Sequence, residues 1–291
     1  MAYLDHIRAC NTWDIAGFRG FWVDGLRVGW VRHALAERLS AFPDTVTAAG
    51  DGVHLSRRFG DFAARTQAMA GLIAALGAEG LVPSPRGEHY PVYPAWGSPP
   101  LFSLDRAVVA HFGTIAYGIH VNGFVRRPDG GVDLWIATRA RDRGVAPGQL
   151  DNMIAGGQPV GLSLADNLVK EAFEEAAIGP ELARSARPAG MISYRLETPP
   201  GLKVDCLFVY DLELQPGVVP RNTDGEVESF ELMPWERVAD IVRDTKRFKF
   251  NCNLVIIDFL IRHGLIGPEH PDYLALVAGL RGWGRGDRCD V

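Results

Sequence analysis

Glu171, Glu174 and Glu175 place three carboxylates in "LVKEAFEEAAI", residues 168–178, a stretch that otherwise has the spacing of an apolar helix. Ser163 stands where an N-cap belongs, Asp166 follows three residues on, and Gly179-Pro180 marks a stop. The sequence therefore predicts a helix from about 164 to 177. At about 100° per residue, Leu168, Val169, Ala172, Phe173 and Ala176 share one side, and the glutamates cluster within about 100° on the other. Like charges at these spacings repel by a few tenths of a kcal/mol per pair in water, and more in an enclosed site. Lys170 is spaced to answer only Glu174. A solvated helix face is the plain reading of such a pattern. The chemical alternative is a divalent-cation site, because hard cations want several carboxylate oxygens converging from one side.

The segment before the helix bears on that choice. "IAGGQPVGLS" suggests a tight loop at Gly156 and Gly157 leading into the helix N-terminus, where backbone N–H groups favour anions and glycine permits close approach of a phosphate. A cation on a helix flank beside such a loop is a layout for phosphoryl chemistry.

Composition narrows the classes. The chain has 291 residues, 47% of them hydrophobic, with a formal net charge of -5. That is enough for one large or two smaller packed domains, and it lacks the basic excess of a nucleic-acid-binding surface. Cys10, Cys206, Cys252 and Cys289 lie far apart with no CxxC pair, so neither a zinc site nor a disulfide framework is expected, and reduced cytoplasmic thiols are. The N-terminus "MAYLDHIRACNTWDIAGF" lacks the unbroken apolar run of a signal peptide. The most apolar run, "LVIIDFLI", holds Asp258 and is too short to span a bilayer. A cytoplasmic protein with no membrane partner is the expectation.

The elements that must position the acids follow from periodicity. "FRGFWVDGLRVGWV" (18–31) reads as a hairpin around Asp24-Gly25, and helices are expected in "VRHALAERLSAF" and "RTQAMAGLIAALGAEG". The proline-dense stretch 82–100 should carry no regular element and is taken as the connection between domains. Beyond it, "AYGIHVNGFVRR", "VDLWIATRAR", "AGMISYRLE", "KVDCLFVYDLEL" and "VESFELMP" read as strands. "WERVADIVRDT", "NLVIIDFLIRHG" and "PDYLALVAGLR" read as helices. This interleaving predicts an α/β architecture with helices on both faces of a mixed sheet.

Residues 156–178, "GGQPVGLSLADNLVKEAFEEAAI", resemble the Nudix box: G, five residues, E, seven residues, then R-E-U-x-E-E-x-G-U, with U a bulky aliphatic residue. Gly156, Glu171, Glu174, Glu175 and Ile178 match. Lys170 stands for the arginine, Ala172 is a weak U, Leu162 replaces the upstream glutamate and Ala177 the late glycine. The phrases "LDHIRACNTWD", "YGIHVNGFV", "LWIATRAR", "PGQLDNMIAGG" and "NLVIIDFLIRHG" extend the likeness over nearly the whole chain. They are similar to a Nudix subfamily with an extra N-terminal domain, found also in fungal thiamine pyrophosphokinases and plant relatives.

The resemblance implies a Nudix α/β/α sandwich around a mixed sheet at 105–291, with C-terminal helices, and a smaller N-terminal α+β domain at 1–104. It implies Mg2+ (or Mn2+) held by Glu171, Glu174 and Glu175, with Lys170 structural. It also implies a base or further ligand after the box, for which Glu226 is the candidate and Glu228 the reserve. The substrate expected is a small diphosphate, thiamine diphosphate or its oxidised derivatives first. ADP-ribose, dinucleotides or nucleoside diphosphate sugars are the alternative, and a non-catalytic ligand-binding module is a second.

Substrate contacts are assigned to Arg139, Gly156, Gly157, Gln158 and His120, each with a structural alternative: exposure for the arginine, a satisfied core histidine for His120. Asp151 and Asn152 fit either a ligand contact or a local turn. Lys246, Arg247 and Lys249 fit either a phosphate clamp or the basic end of a helix. Trp96, Tyr117 and Trp135 are candidate stacking rings or core residues. The N-terminal domain is open to three roles: capping the site, contacting substrate or forming a homodimer.

Overall fold

The structure, a computed structural model, describes residues 2–282; Cys289 lies outside the described residues. After α1 (Tyr3–Ala9) come β1 (Phe18–Val23), β2 (Leu26–Arg32), α2 (His33–Leu39), β3 (Val46–Ala49), β4 (Gly52–Leu55) and α3 (Phe62–Ala78). The hairpin β1–β2 turns through Asp24 (φ 52°) and Gly25 (φ 84°), the doubly left-handed pair that a two-residue turn needs to match strand twist. These strands form a sheet in the order β2-β1-β4-β3. Phe21 and Val31 on its inner face pack against Leu39 of α2 and Met69, Leu72, Ile73 and Leu76 of α3.

The proline-dense segment is not irregular throughout. It contains β5 (His89–Val92), paired antiparallel with β6 (Phe102–Asp105). Pro91 sits within β5, which a two-stranded ribbon tolerates because an N–H pointing away from the single partner has no ladder bond to lose. The short helix α4 (Val109–Phe112) follows.

The larger sheet is built from β7 (Ile115–Arg126), β8 (Val132–Arg139), β9 (Leu150–Asp151) and β10 (Ile154–Gly157). After α5 (Leu164–Ala176) and α6 (Pro180–Ala183) it continues with β11 (Arg187–Thr198), β12 (Gly201–Glu213) and β13 (Val227–Pro234). The order is β11-β12-β7-β8-β13, with β10 on β7 and β9 on β8. β12 and β7 run parallel and the other pairs antiparallel, so the sheet is mixed. Residues alternate between its faces as strand geometry requires. Ile119, Val121, Trp135 and Leu212 pack on the side of α5, while Leu134, Ile136, Leu207 and Val209 face α7 (Trp235–Asp244) and α8 (Cys252–Arg262). The last described helix is α9 (Tyr273–Gly279).

α8 is buried along nearly its whole length, including Asp258, which is answered by Arg262 at 2.6 Å and Arg281 at 2.8 Å. The first helix joins this core and not the sheet that follows it in sequence. Tyr3 Oη donates to Ala239 O at 3.2 Å, and His6 Nε2 lies 2.6 Å from Val242 O. Among the described residues no helix is long and apolar enough to cross a membrane.

Candidate functional site

The acidic helix begins at its N-cap Ser163, whose Oγ accepts the Asp166 N–H at 3.1 Å and donates to Asp166 Oδ2 at 2.7 Å. Two contacts fix α5 against β10. Asn167 Nδ2 donates to Gly157 O at 2.8 Å, and the Ala155 N–H donates to Glu175 Oε2 at 2.8 Å. The buried side of the helix differs from the side expected. Glu175 is 7% exposed and lies among Leu168, Ala172 and Ala176, while Phe173 is 56% exposed. The strand beneath supplies a backbone donor for Glu175, and that donor makes the buried position tolerable.

Gly156 and Gly157 are correspondingly part of a strand and not a loop. β10 pairs with β7, and a Cβ on Gly156 would lie 2.3 Å from Glu171 Cδ. One on Gly157 would meet Tyr90 Oη at 1.7 Å. Both glycines give room to side chains arriving from other elements.

The glutamates line one cleft of about 280 Å³. Burial raises the Glu171 carboxyl above its ordinary value, with Glu174 adding to the effect and Lys170 opposing it. Burial pushes Glu175 well up, against the pull of the Ala155 N–H and with Glu171 and Asp151 adding to it. Lys170 bridges two acids rather than one, at 3.0 Å from Glu171 and 2.6 Å from Glu174.

Glu226 reaches the same cleft by a different route. The segment after β12 satisfies the last carbonyls of α5: Arg221 N–H donates to Ala176 O at 2.9 Å, and Thr223 Oγ1 to Glu174 O at 2.6 Å. This docking delivers Asp224 and Glu226 to the cleft wall, where Glu226 pairs with Arg143 at 2.5 Å. Glu228 does not line it and pairs with Arg141 on the surface.

The expected substrate contacts fare differently. Arg139 lines the cleft, but its guanidinium is engaged by Asp151 at 2.8 Å and by Val145 O at 3.1 Å. Asp151 is a buried hub: Lys249 lies at 3.2 Å, and Cys252 Sγ donates to it at 2.6 Å. Burial alone would raise its carboxyl, yet Lys249, His120 and Arg139 hold it well below the ordinary range. The neighbouring trio His120, Asp151 and Cys252 has metal-ligand types close together. With Lys249 and Arg139 already answering the carboxylate, it is a poor place for another cation. His120 is buried with Nδ1 2.8 Å from Asn152 Oδ1. Burial, helped by Lys249, pushes it down to about 4, so it is neutral at pH 7.

Gln158 does not line the cleft. It is buried and donates to Leu162 O at 2.7 Å, bracing the turn before the helix. Of the basic trio only Lys249 lines the cleft, and it lies in the connection before α8. Tyr117 lines it and packs on Trp96 with ring centroids 4.6 Å apart, whereas Trp135 is buried in the core beside α5. Glu88, Tyr90, Arg106, Arg143, Lys203 and Asp205 also line it and were not expected. For Asp205 a signal existed: in "KVDCLFVY" it is a charge inside an otherwise apolar buried strand.

Comparison with known proteins places this geometry. Residues 2–116 match the family described as Domain of unknown function (DUF4743). The chain is 43% identical over 283 residues to "Nudix hydrolase 24, chloroplastic" of Arabidopsis thaliana, covering 96% of this chain and 77% of that protein. It belongs to the Nudix hydrolase family. "Nudix hydrolase 20, chloroplastic" of the same plant is 42% identical with the same coverage. Among solved structures, the Nudix domain of Shewanella oneidensis NrtR complexed with ADP ribose is similar at a TM-score of 0.40 and 13% identity, over 53% of this chain and 90% of that one.

Proposed function

We propose that this Nudix hydrolase cleaves a diphosphate linkage with Mg2+ or Mn2+ held by Glu171, Glu174 and Glu175, and that its substrate is thiamine diphosphate or an oxidised derivative, cut to the monophosphate and phosphate. One observation carries the reading: three carboxylates of one helix share a cleft with Glu226 and with Arg106, Arg143, Lys170, Lys203 and Lys249. The set fits a hard cation, since its donors are carboxylate oxygens and two of them are held towards protonation by burial. When bound, the cation screens the diphosphate and favours attack by water at phosphorus.

The chain's own residues do the rest. The backbone of β10 orients Glu175 through the Ala155 N–H. Lys170 holds Glu171 and Glu174 in place. Arg143 and Arg106, now paired with Glu226 and Glu88, exchange those partners for phosphoryl oxygens. That exchange leaves Glu226 able to take a proton from the attacking water. The sheet of β1–β4 with α2 and α3 acts as an accessory unit, and the β5–β6 ribbon after it brings Glu88 and Tyr90 to the cleft. The thiamine assignment draws on the sequence resemblance. The mixed charges of the lining and the Tyr117 ring within it suit a cationic heteroaromatic ring.

The test is chromatographic measurement of substrate loss and of the monophosphate products for thiamine diphosphate, its oxidised forms, ADP-ribose, a dinucleotide and a nucleoside diphosphate sugar, with Mg2+ and with chelator, since only the thiamine compounds would release inorganic phosphate. We expect kcat/KM at least about 10-fold higher for the thiamine compounds and loss of activity on chelation. Preference for a nucleotide would overturn the substrate, and turnover of no diphosphate would overturn the whole reading.

A further inference from the structure

Glu88 lines the same cleft as the acids of α5, with its side chain 33% exposed, yet it comes from the connection that follows the accessory sheet. The backbone around it is firmly held. Asp105 Oδ2 accepts the N–H groups of Arg86 and Gly87 at 2.9 and 2.7 Å, and the Arg106 N–H donates to Glu88 O at 2.8 Å. One residue on, His89 O accepts the Val160 N–H at 2.8 Å, and the Tyr90 ring fills the place that a side chain on Gly157 would take. The ribbon is thus fixed against the segment that leads into α5. Glu171 feels the result: burial raises its carboxyl, and the negative charge of Glu88 adds to the effect.

Glu88 pairs with Arg106, and the hydrolase reading asks Arg106 to leave that pair for phosphoryl oxygens. The carboxylate left behind would repel Glu171 just as a diphosphate brings further negative charge into the cleft. It needs a positive partner in the loaded site. We propose that Glu88 is a further ligand of the divalent cation, so that the connection from the accessory unit completes a site otherwise built on one helix. The inference rests on the metal-dependent reading above and extends its ligand set beyond α5. Hard cations coordinate six or more oxygens, and a helix offers its own from one side only. An acid on a second element supplies a donor from another direction. The same shift of Glu88 releases Arg106 to the diphosphate, which couples cation binding to substrate binding.

Mn2+ alone, added to the metal-free full chain, tests the assignment by calorimetry and by water-proton relaxation of the bound ion. Glu88→Gln keeps the size of the side chain, and the ion pair it breaks is partly exposed, so the fold should hold. The Kd for Mn2+ should rise at least about 10-fold, since even residues that merely support a metal ligand are worth about 10–100-fold in affinity. Relaxation enhancement per bound ion should also rise, because a water takes the coordination position that Glu88 gives up. An unchanged Kd overturns the proposal. So does weaker binding without added water, which would mean that Glu88 acts through its charge alone. Glu175→Gln, measured in the same way, separates this proposal from the reading beneath it: if it weakens Mn2+ binding and Glu88→Gln does not, Glu88 is no ligand and the helix site stands. If the unsubstituted chain takes up no Mn2+ at millimolar concentration, the metal reading fails and the role of Glu88 with it.

Discussion

Glu171 occupies the space that a side chain on Gly156 would need: a Cβ there would fall 2.3 Å from Glu171 Cδ and 2.5 Å from its Cγ. The glycine of the strand and the glutamate of the helix are therefore one structural choice. Gly156→Ala should displace the Glu171 carboxylate while leaving β10 paired, because the conflict involves the end of a side chain and not backbone. A shift of about 1 Å in a positioning group costs on the order of 100-fold in rate. Stability should fall by only about 1–3 kcal/mol. Steady-state kinetics and thermal unfolding on the same variant check both; wild-type kcat would refute the coupling.

Much of this was legible because periodicity survives into the fold: the strands β7, β8, β11, β12 and β13 and the helices α3, α5, α7 and α8 lie where apolar spacing put them. What stayed hidden depends on contacts between distant residues. The glycine pair read as a loop because its need for space comes from Tyr90 and Glu171, which no local pattern reveals. Glu175 read as lying on the polar side of the helix, solvated or ligating, because its compensating donor, the Ala155 N–H, is twenty residues away. Arg139 read as a phosphate contact or an exposed strand end, and its pairing with Asp151 stayed hidden because Asp151 gave no sign in sequence of being a buried hub.

Glu175→Gln separates charge from shape. Glutamine is the same size and its carbonyl can still accept the Ala155 N–H, so the fold should hold. Removing a buried negative charge beside Glu171 should leave thermal stability equal or higher. Turnover should drop by at least about 100-fold, since a cation ligand is lost. A variant that keeps more than a tenth of wild-type kcat would remove Glu175 from the machinery.

Asp151→Ala should destabilise the protein by roughly 3–5 kcal/mol, because it strands Lys249 and Arg139 without their shared carboxylate in a buried place. Urea unfolding measures this directly. If the loss is below about 1 kcal/mol, the hub contributes little to the fold.

Asp211 gives the pH dependence. Burial would raise its carboxyl, but hydrogen bonds from His263, Arg262 and Asn122 outweigh that and hold it at about 2. The unfolded value is about 3.9, so the folded state binds its proton less readily. Its stabilisation is fully present above about pH 4 and is lost as pH falls towards 2 and below, a span of about 2.6 kcal/mol. Asp211→Asn should be less stable than wild type at pH 7 and should lose less stability between pH 4 and 2. Parallel acid-unfolding curves for the two proteins would contradict the assignment.

Ala177 ends α5 in the left-handed region at φ 54°, where its N–H donates to Phe173 O at 3.0 Å and the following Ile178 N–H donates to Ala172 O at 2.9 Å. Those bonds satisfy carbonyls that the helix end would otherwise leave open, so the turn is kept although alanine is strained there. A Cβ in this region costs roughly 1–2 kcal/mol, and glycine avoids that cost while gaining entropy in the unfolded chain. The two effects oppose, and the strain is the larger. Ala177→Gly should therefore stabilise by about 0.5–1 kcal/mol, a rise of about 1–4 °C in Tm for a chain of this size. Because Glu174 and Glu175 sit just before this turn, its kcat should remain within about twofold of wild type. A lower Tm would show that the packing of Ala177 outweighs its backbone strain.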